Sequence, residues 1–429
     1  MQSVERSLHQ NQQSDHIIII PSASKSYMTH DIPFPFRQNT DFLYLSGFLE
    51  PNSVLVLEAK SGKLPDHTAT LFVPRKDPHR ELWDGPRSGK EGTLSLTGVD
   101  SAENIDDLEL FLQLYANENK GFVLWYNYSK PVHSEFHKKY FADFIKNNRH
   151  GVIENPRSLV QSLRLYKSAA EMQLMQKTCD IASAAFVETM KFSRPGVNEA
   201  HLYAKMDYEC RVNGADILAY PPVVAGGNRA NTIHYINNNQ IVDDGTMVLM
   251  DAGCECHGYT SDITRTWPVS GCFTKEQRAL YEAVLDVQKH CLKVCERPGV
   301  TLDFIFLEML RVIAQHLQEL NLIPKDLTSH QAQTLARQFC PHHVGHYLGM
   351  DVHDTDEISR NIKLQPGMVV TIEPGIYIPL NSRHHVPAGF RGQGIRIEDD
   401  VLITSGEPHV LTSACPKNPD HIEKILSER

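Results

Sequence analysis

The chain of 429 residues is long enough for two or three domains, and its 41% hydrophobic and 22% charged residues are typical of a folded globular protein. Its 42 basic and 52 acidic residues give a net charge of −10, which argues against nucleic acid or an anionic membrane as the main partner. No apolar run approaches the roughly 18–20 residues that a membrane-spanning helix requires.

The N-terminal part carries the pattern of an α/β domain. Apolar runs predict strands at 16–20, 54–59, 69–73 and 122–126, separated by turn-rich stretches. A helix is expected from about 133 to 147, and the stretch 154–168 is expected to be a connector. We therefore predict an N-terminal α/β domain over residues 1–160 and a larger C-terminal domain over 161–429.

Several helices are expected at the start of the second domain. Ser168 and Glu171 form a capping-box pattern, which predicts a long helix over about 169–191. Further helices are expected at about 199–213, 275–295 and 302–320, and the chain becomes strand-like and glycine-rich after residue 340.

Cysteine spacing and the N-terminal segment bear on the cellular compartment. The nine cysteines have irregular spacing without a disulfide or zinc-binding pattern, so we expect free thiols in a reducing compartment. The first residues show neither a signal-peptide core nor an arginine-rich presequence. The expectation is a cytosolic protein or one whose targeting segment has been removed.

An apolar strand leads directly into an aspartate in the middle of the second domain. The apolar run 248–250 continues into Asp251, and a glycine-containing reversal then brings the chain to Asp262 and a returning strand. A hairpin of this size can place its two ends face to face. The two carboxylates would repel each other unless a positive group lay between them.

Three later stretches also place metal-binding side chains among apolar residues. The segment 341–354 contains four histidines, and Glu373 and Glu398 each lie in a stretch that reads as an apolar strand. A carboxylate in the core of a strand is costly unless it is paired or bound to a metal.

These residues together predict a dinuclear metal site. Four carboxylates balance the charge of two divalent cations, and one imidazole completes the set, which is Asp251, Asp262, His346, Glu373 and Glu398. Carboxylate-rich ligands favour Mn²⁺ before Zn²⁺, with Co²⁺ usable in vitro. Two ions about 3.5 Å apart can share a bridging hydroxide and polarise a carbonyl. A single acid in a strand is more often an edge or salt-bridged residue, so the prediction depends on the whole set.

The motifs resemble, in order and spacing, those of the pita-bread metallopeptidases, which include methionine aminopeptidase, prolidase and aminopeptidase P. They are DAGCECHGYTSDITRTWP, HHVGHYLGMDVHD, TIEPGIYI and GIRIEDD. The stretches 36–57 and 80–89 are similar to the creatinase-type N-terminal domain of aminopeptidase P and prolidase. The resemblance covers nearly the whole chain and is greatest to the mitochondrial type of aminopeptidase P. It implies an α/β (α+β) protein with a creatinase-type N-terminal domain and a pita-bread catalytic domain.

The resemblance also implies roles for the metal ligands. Asp251 would hold one metal, His346 and Glu373 would hold the other, and Asp262 and Glu398 would bridge the two.

A second set of side chains is implied to line the substrate site: His234, His342, His353, Tyr220 and Tyr377. For His342, His353 and Tyr220 the alternative role is packing or support of neighbouring groups. Arg396, two residues before Glu398, is expected to present its guanidinium on the same strand face as that ligand. His343 departs from the family pattern, which usually has a small residue there, and this concerns substrate preference rather than metal binding.

The implied reaction releases the N-terminal residue from peptides whose second residue is proline. A hydroxide bridging two metals, Mn²⁺ first, would attack the scissile carbonyl, and Glu373 would act as general base and then acid. His353 and the metals would stabilise the oxyanion, with His234 and Arg396 completing the catalytic set.

Two alternatives remain open at this point. Prolidase shares the fold and ligands but cleaves dipeptides, although the Gly392–Gly394 approach to the last motif is closer to aminopeptidase P. A binding protein on an inactive copy of the fold is disfavoured because all five ligands are present, and methionine aminopeptidase lacks the large N-terminal domain. By resemblance we also expect a homodimer, and a mitochondrial location with the presequence absent from this chain.

Overall fold

The computed structural model describes residues 15–60, 66–119, 121–148 and 152–429. The chain forms two compact units, the first ending at Leu163 and the second beginning at Arg164. The predicted domain boundary at residue 160 stays a prediction, because a compact unit need not be a domain that folds alone.

The first unit contains a six-stranded mixed sheet. Its strands are β1 (His16–Pro21), β2 (Val54–Ala59), β3 (Thr68–Val73), β4 (Ser101–Asn104), β5 (Val123–Trp125) and β6 (Val152–Glu154). The spatial order is β4–β3–β2–β1–β5–β6, in which β1 pairs antiparallel with β2 and parallel with β5. The helices of this unit are α1 (Thr40–Ser46), α2 (Pro78–Asp84), α3 (Gly89–Leu96), α4 (Leu108–Glu118), α5 (Ser134–Phe136) and α6 (Ala142–Asn147). The next helix, α7 (Arg157–Arg164), ends at Arg164, the first residue of the second unit.

Strand β1 lies in the middle of this sheet with both faces covered. Ile17 and Ile19 belong to one apolar cluster, whereas Ile18 and Ile20 belong to another. Because successive side chains point to opposite faces, a strand with both faces covered is apolar at every position, as this one is.

The second unit consists of small antiparallel sheets packed against helices. Its strands are β7 (Ile217–Leu218), β8 (Val223–Gly226), β9 (Met247–Ala252), β10 (Cys254–Cys256), β11 (Tyr259–Thr260), β12 (Ile263–Pro268), β13 (Val369–Ile372), β14 (Gly375–Ile378), β15 (Gln393–Arg396), β16 (Asp399–Leu402) and β17 (His409–Val410). The sheets are β11–β10–β7, β12–β9–β8, β13–β16–β17 and β14–β15. The helices are α8 (Ala169–Phe192), α9 (Glu199–Val212), α10 (Lys275–Cys295), α11 (Leu302–Glu319), α12 (Ser329–Phe339) and α13 (Pro419–Ser427). One large apolar core joins the helices to the sheets.

The predicted strands of the first unit and the predicted helices of the second are confirmed, including the Ser168 capping box at the start of α8. The helix expected at 133–147 contains a π-helical segment at His137–Phe141. The stretch 154–168 is not a connector, because α7 lies within it. Leu159, Val160 and Leu163 have the three-to-four spacing of one helix face, a local signal that the prediction overlooked, while the buried residues also include Gln161 and Arg164.

The prediction that Glu373 and Glu398 lie inside strands is wrong. Glu373 lies between β13 and β14, and Glu398 lies between β15 and β16. Strand β13 pairs with β16, and β14 pairs with β15. The segments 369–378 and 393–402 therefore both pass from one sheet into the other, and they do so next to each other. The two glutamates therefore lie where the ladder is interrupted. For the same reason Arg396 ends a strand to which Glu398 does not belong.

Two further findings concern cysteines and apolar helices. All nine cysteines are free thiols, as predicted. Among residues with described structure, no helix is long and apolar enough to cross a membrane.

Candidate metal centre and active site

The hairpin of β9 and β12 brings Asp251 and Asp262 together. Thr264 pairs with Asp251 in the antiparallel ladder, so Asp262 just before β12 lies close to the end of β9. The backbone at Gly253 lies so close to the backbone at Ser261 that a Cβ on Gly253 would be 1.7 Å from the carbonyl oxygen of Ser261. Only glycine permits this approach, which keeps the two aspartates on one side of the hairpin.

Tyr220 lies between these two carboxylates. Its hydroxyl oxygen is 2.6 Å from Oδ1 of Asp251 and 2.5 Å from Oδ1 of Asp262. A hydroxyl has one proton and donates to one carboxylate at a time. The tyrosine therefore cannot compensate both charges.

The histidine-rich segment runs beside β13 and delivers His346. The backbone N–H of Thr371 donates to the carbonyl of His346, and that of Glu373 donates to the carbonyl of Val344, over 2.9 and 2.8 Å. Nδ1 of His346 lies 3.0 Å from the carbonyl oxygen of Tyr347. Because a carbonyl can only accept, Nδ1 is the donor, and Nε2 is free to bind a metal.

Glu398 is held by the hairpin that carries the aspartates. Its backbone N–H donates to the carbonyl of Thr264 over 3.1 Å, and the Thr264 hydroxyl donates to its Oε2 over 2.6 Å. The same hydroxyl accepts a bond from Nε of Arg396 over 3.0 Å. Thr264 therefore orients a predicted ligand and a predicted catalytic cation together.

The five predicted ligands converge beside the end of the β9–β12 hairpin. Asp262, His346 and Glu398 each offer one ligand atom, and these three atoms lie within 4.8 Å of one another. Nε2 of His346 is 3.4 Å from Oδ2 of Asp262 and 3.9 Å from Oε1 of Glu373. Asp251 is connected to this group through the Tyr220 hydroxyl. Their assignment as metal ligands stays a prediction.

The positive charges near the cluster are too few to balance its four carboxylates. Burial, followed by repulsion from Asp262 and Glu373, raises the pKa of Glu398 well above its ordinary value. Burial also raises the pKa of Glu373 to about 7, although His346 and Arg396 act in the opposite direction. The pKa of Asp251 is raised for the same first reason, burial.

His346 carries a positive charge in the absence of metal. Burial opposes this charge, but the hydrogen bond and the negative charge of Asp262 raise its pKa to about 9. Burial alone would raise the pKa of Asp262, and the contact with His346 lowers it. A proton on His346 therefore lies where the cluster needs a cation. Four carboxylates and one imidazole with one free nitrogen fit hard or borderline divalent ions.

Arg396, Tyr377 and His342 form a hydrogen-bonded chain beside the cluster. Arg396 donates to Oδ2 of Asp251 and, through Nη1, to the Tyr377 oxygen over 2.8 Å. The Tyr377 oxygen is 2.9 Å from Nε2 of His342, whose Nδ1 donates to the carbonyl of His343 over 2.8 Å. Burial and then the charge of Arg396 lower the pKa of His342 to about 4. His342 is therefore neutral near pH 7 and accepts from Tyr377.

His353 and His234 lie on the exposed side of the site. The ring of His353 is 4.3 Å from that of His346, centroid to centroid, and burial followed by repulsion from His346 lowers its pKa. Repulsion from His234 adds to the lowering of the His353 pKa. Both are exposed, whereas His342 is largely enclosed. Contacts thus place Tyr220, Tyr377, His342 and His353 around the predicted ligands. The roles of these four residues and of His234 stay predictions.

Sequence reasoning missed two residues that hold the site. Thr264 lies in β12 opposite Asp251, two positions after Asp262, and this closeness in sequence to a predicted ligand was a usable signal. Asp400 is fully buried, and its Oδ2 accepts the backbone N–H of Asp262 over 3.0 Å and the thiol of Cys179 over 3.3 Å. Its role depends on contacts with α8 and the hairpin, which no local pattern shows.

Comparisons with known proteins agree with this arrangement. Residues 173–405 match the metallopeptidase family M24, and residues 2–125 match the aminopeptidase P N-terminal domain. The chain is 51% identical to Xaa-Pro aminopeptidase 3 of Mus musculus over 96% of this chain and 81% of that protein. It is 39% identical to "Intermediate cleaving peptidase 55, mitochondrial" of Arabidopsis thaliana over 96% of this chain and 79% of that protein.

A solved structure has the same fold. Zinc-substituted Escherichia coli aminopeptidase P in complex with product superposes with a TM-score of 0.90 at 33% identity, covering 100% of this chain and 97% of that one. The predicted α/β class with two domain types and the predicted resemblance are thereby confirmed.

Proposed function

This chain belongs to metallopeptidase family M24, and we propose that it is a metal-dependent Xaa-Pro aminopeptidase, which removes the N-terminal residue from peptides with proline in the second position. The observation that carries this proposal is the convergence of four carboxylates and one imidazole, near the place where two chain segments pass from one sheet into another. The identity of 51% to Xaa-Pro aminopeptidase 3 of Mus musculus supports the specificity.

We assign the metal ligands as Asp251, Asp262, His346, Glu373 and Glu398. Four carboxylates neutralise two divalent cations, and the predominance of oxygen ligands favours Mn²⁺. When bound, the two ions supply an activated water and polarise the scissile carbonyl.

The chain's own groups move the protons. Glu373 accepts a proton from the attacking water and delivers it to the proline nitrogen as the C–N bond breaks. Its Oε1 lies 3.9 Å from Nε2 of His346, within the predicted ligand cluster, which supports its position beside the attacking water. His353 donates a hydrogen bond to the carbonyl oxygen as negative charge develops there, and His234, which is also exposed, is assigned to the same catalytic set.

The hydrogen-bonded chain behind the cluster orients the ligands. Arg396 balances Asp251 and fixes Tyr377, and the neutral His342 accepts from that tyrosine. The free α-amine of the substrate lies against the acidic cluster, which limits cleavage to the first residue. Because the bond before proline has no N–H, recognition depends on a pocket for the ring, to which Tyr220 contributes.

We also propose that the protein is a homodimer formed through the first unit. Helix α2 has no buried residue, and Leu82 and Trp83 on it are 79% and 78% exposed. Large apolar side chains at such exposure are typical of a surface covered by a partner. A mitochondrial location is supported by the name of the Arabidopsis relative.

Hydrolysis of an Xaa-Pro-Pro tripeptide by the chelated protein, before and after adding Mn²⁺, tests the function. Metal-dependent release of the first residue, lost in Glu373→Ala, supports the aminopeptidase. Cleavage of an Xaa-Pro dipeptide but not of the tripeptide would assign prolidase instead. No cleavage of either peptide by protein shown to bind metal would overturn both.

A further inference from the structure

A buried ionic cluster lies beside the active site in the second unit. Lys167, between α7 and α8, has a side chain only 1% exposed, and its Nζ is 3.3 Å from Oδ2 of Asp354, which is equally buried. Arg164, 4% exposed, donates to Oδ1 of Asp354 and, over 2.8 Å, to Oδ2 of Asp351. Burial lowers the pKa of Lys167, and the charge of Asp354 acts against that shift. Two cations thus hold one enclosed carboxylate.

Asp354 closes the turn that separates two active-site histidines. Its backbone N–H donates to the carbonyl of Tyr347 over 2.9 Å, and its Oδ1 accepts the N–H of Asp351 over 3.3 Å. His346 lies just before this turn and His353 lies at its end, with rings 4.3 Å apart. The position of Asp354 therefore determines how His353 is presented.

The turn is tied to its surroundings as well as to the cations. A Cβ on Gly349 would lie 2.5 Å from Oδ2 of Asp354 and 3.0 Å from Cε of Lys167, so the turn packs directly on the ion pair. The carbonyl of Gly349 accepts from the N–H and the hydroxyl of Thr260 in β11, over 2.9 and 2.8 Å. The cluster therefore connects the start of α8 to the catalytic hairpin.

We propose that Arg164 and Lys167 are positioning residues that fix His353 through Asp354. The inference rests on the proposed function, because His353 acts there on the scissile carbonyl. A buried ion pair adds little net stability compared with apolar residues of the same volume. The ion pair does restrict the turn to one arrangement, because any other arrangement would separate the buried cations from the buried carboxylate and leave a charge without its partner.

The first test is Lys167→Met, which removes the charge and keeps the apolar stem, with Lys205→Met as the matched control. Lys205 in α9 makes a single ion pair with Glu209, over 2.5 Å, one helical turn away. With the Mn²⁺-loaded protein and an Xaa-Pro-Pro tripeptide, Lys167→Met should lower kcat about 10- to 100-fold with little change in KM. The control should stay within about 2-fold of wild type. An unchanged kcat in Lys167→Met would overturn the proposal.

A double-mutant cycle tests whether Lys167 acts through His353. In the His353→Ala background, Lys167→Met should cause no further loss of kcat, because the group that it positions is gone. Two losses that multiply would contradict the proposal.

A further pair of variants separates positioning from stability. Lys167→Met leaves the buried Asp354 carboxylate with less positive charge beside it. Adding Asp354→Asn removes that carboxylate charge, so the double variant should melt at a higher temperature than Lys167→Met alone. The kcat should stay low. If kcat recovers together with the melting temperature, Lys167 has only a structural role.

Hydrogen exchange gives a readout independent of catalysis. Peptides covering 347–355 should exchange faster in Lys167→Met than in wild type or Lys205→Met, with and without Mn²⁺. Equal exchange would overturn the positioning role even if the enzyme is active. If the wild type cleaves neither the Xaa-Pro-Pro tripeptide nor the Xaa-Pro dipeptide, but Lys167→Met still exchanges faster than wild type, the positioning of the turn is supported. Only the proposed function is then overturned.

Discussion

Arg396 and Asp251 form an ion pair across two sheets, with the arginine side chain only 2% exposed, while Asp251 also belongs to the predicted ligand set. The guanidinium lies between Asp251, Thr264 and Tyr377 and bonds to all three. It is therefore the permanent counter-charge of the cluster.

Arg396→Met should destabilise the metal-free protein by about 3 kcal/mol, because breaking a buried ion pair leaves a carboxylate without compensation. Denaturant unfolding of the chelated protein measures this. The matched control is Arg278→Met, which removes a partly exposed arginine with three acidic neighbours and should cost at most about 1 kcal/mol. Equal losses in the two variants would show that Arg396 has no special electrostatic role.

Removing the metal should make stability fall as pH rises. The pKa of Glu373 is raised from 4.5 to about 7, so its contribution is complete below 4.5 and is lost as the pH passes 7. The pKa of His346 is raised from 6.5 to about 9, so its contribution is lost as the pH rises through 9. The pKa of His342 is lowered from 6.5 to about 4, so its contribution has the opposite sign and offsets that of Glu373 between pH 4.5 and 6.5. The melting temperature of the chelated protein should therefore decrease mainly from pH 6.5 to pH 9, whereas Mn²⁺-loaded protein should not follow this decrease.

Glu373→Gln is the control for that profile. An amide does not titrate, so between pH 4.5 and 7 the melting temperature of the chelated variant should rise relative to that of the chelated wild type. A chelated wild type whose melting temperature is constant or rises from pH 6.5 to pH 9 would contradict the unbalanced carboxylate cluster.

Much of this arrangement could be predicted from local sequence, and the exceptions have physical causes. The run Ile17–Ile20 predicts a strand buried on both faces, and Ser168 predicts the start of α8, because both signals are local. Helix α7 was missed because it has only eight residues, although Leu159, Val160 and Leu163 are spaced as on one helix face. Its buried residues also include Arg164, whose partner Asp354 is 190 residues away in sequence. A polar side chain shows its burial only through such a partner.

The identity of the metal-site residues was easier to predict than their placement. An acid among apolar residues is visible in the sequence, so Glu373 and Glu398 could be named. That each lies at an interruption between two sheets depends on strand pairing between residues 369–378 and 393–402, which no single segment specifies. The bond from Thr264 to Glu398 likewise joins residues 134 positions apart.

Thr264→Val should weaken Mn²⁺ binding about 10- to 100-fold, because the hydroxyl that orients Glu398 and accepts from Arg396 is lost while the side-chain shape is kept. Calorimetric titration of the metal-free protein measures the change. Thr189→Val is the matched control, since that buried hydroxyl donates to the carbonyl of Ala185 within α8. Equal affinity in Thr264→Val and Thr189→Val would exclude the orienting role.

Glu199 should control the loop that carries His234. This carboxylate is fully buried and accepts from Nε of Arg229 over 2.6 Å and from the hydroxyl of Tyr235 over 2.9 Å. It also accepts the backbone N–H groups of Gly226 and Gln240 over 2.9 and 3.0 Å, so it joins both ends of the segment 226–240.

Glu199→Gln should therefore lower kcat/KM for the tripeptide about 10-fold, because an amide cannot accept from all four donors and His234 follows the loop. Metal affinity should be unchanged, since none of these contacts touches a predicted ligand. Tyr235→Phe removes one donor and should cause a smaller loss in the same parameter. A loss of Mn²⁺ affinity equal to that of Thr264→Val would instead show that the loop supports the metal centre as a whole.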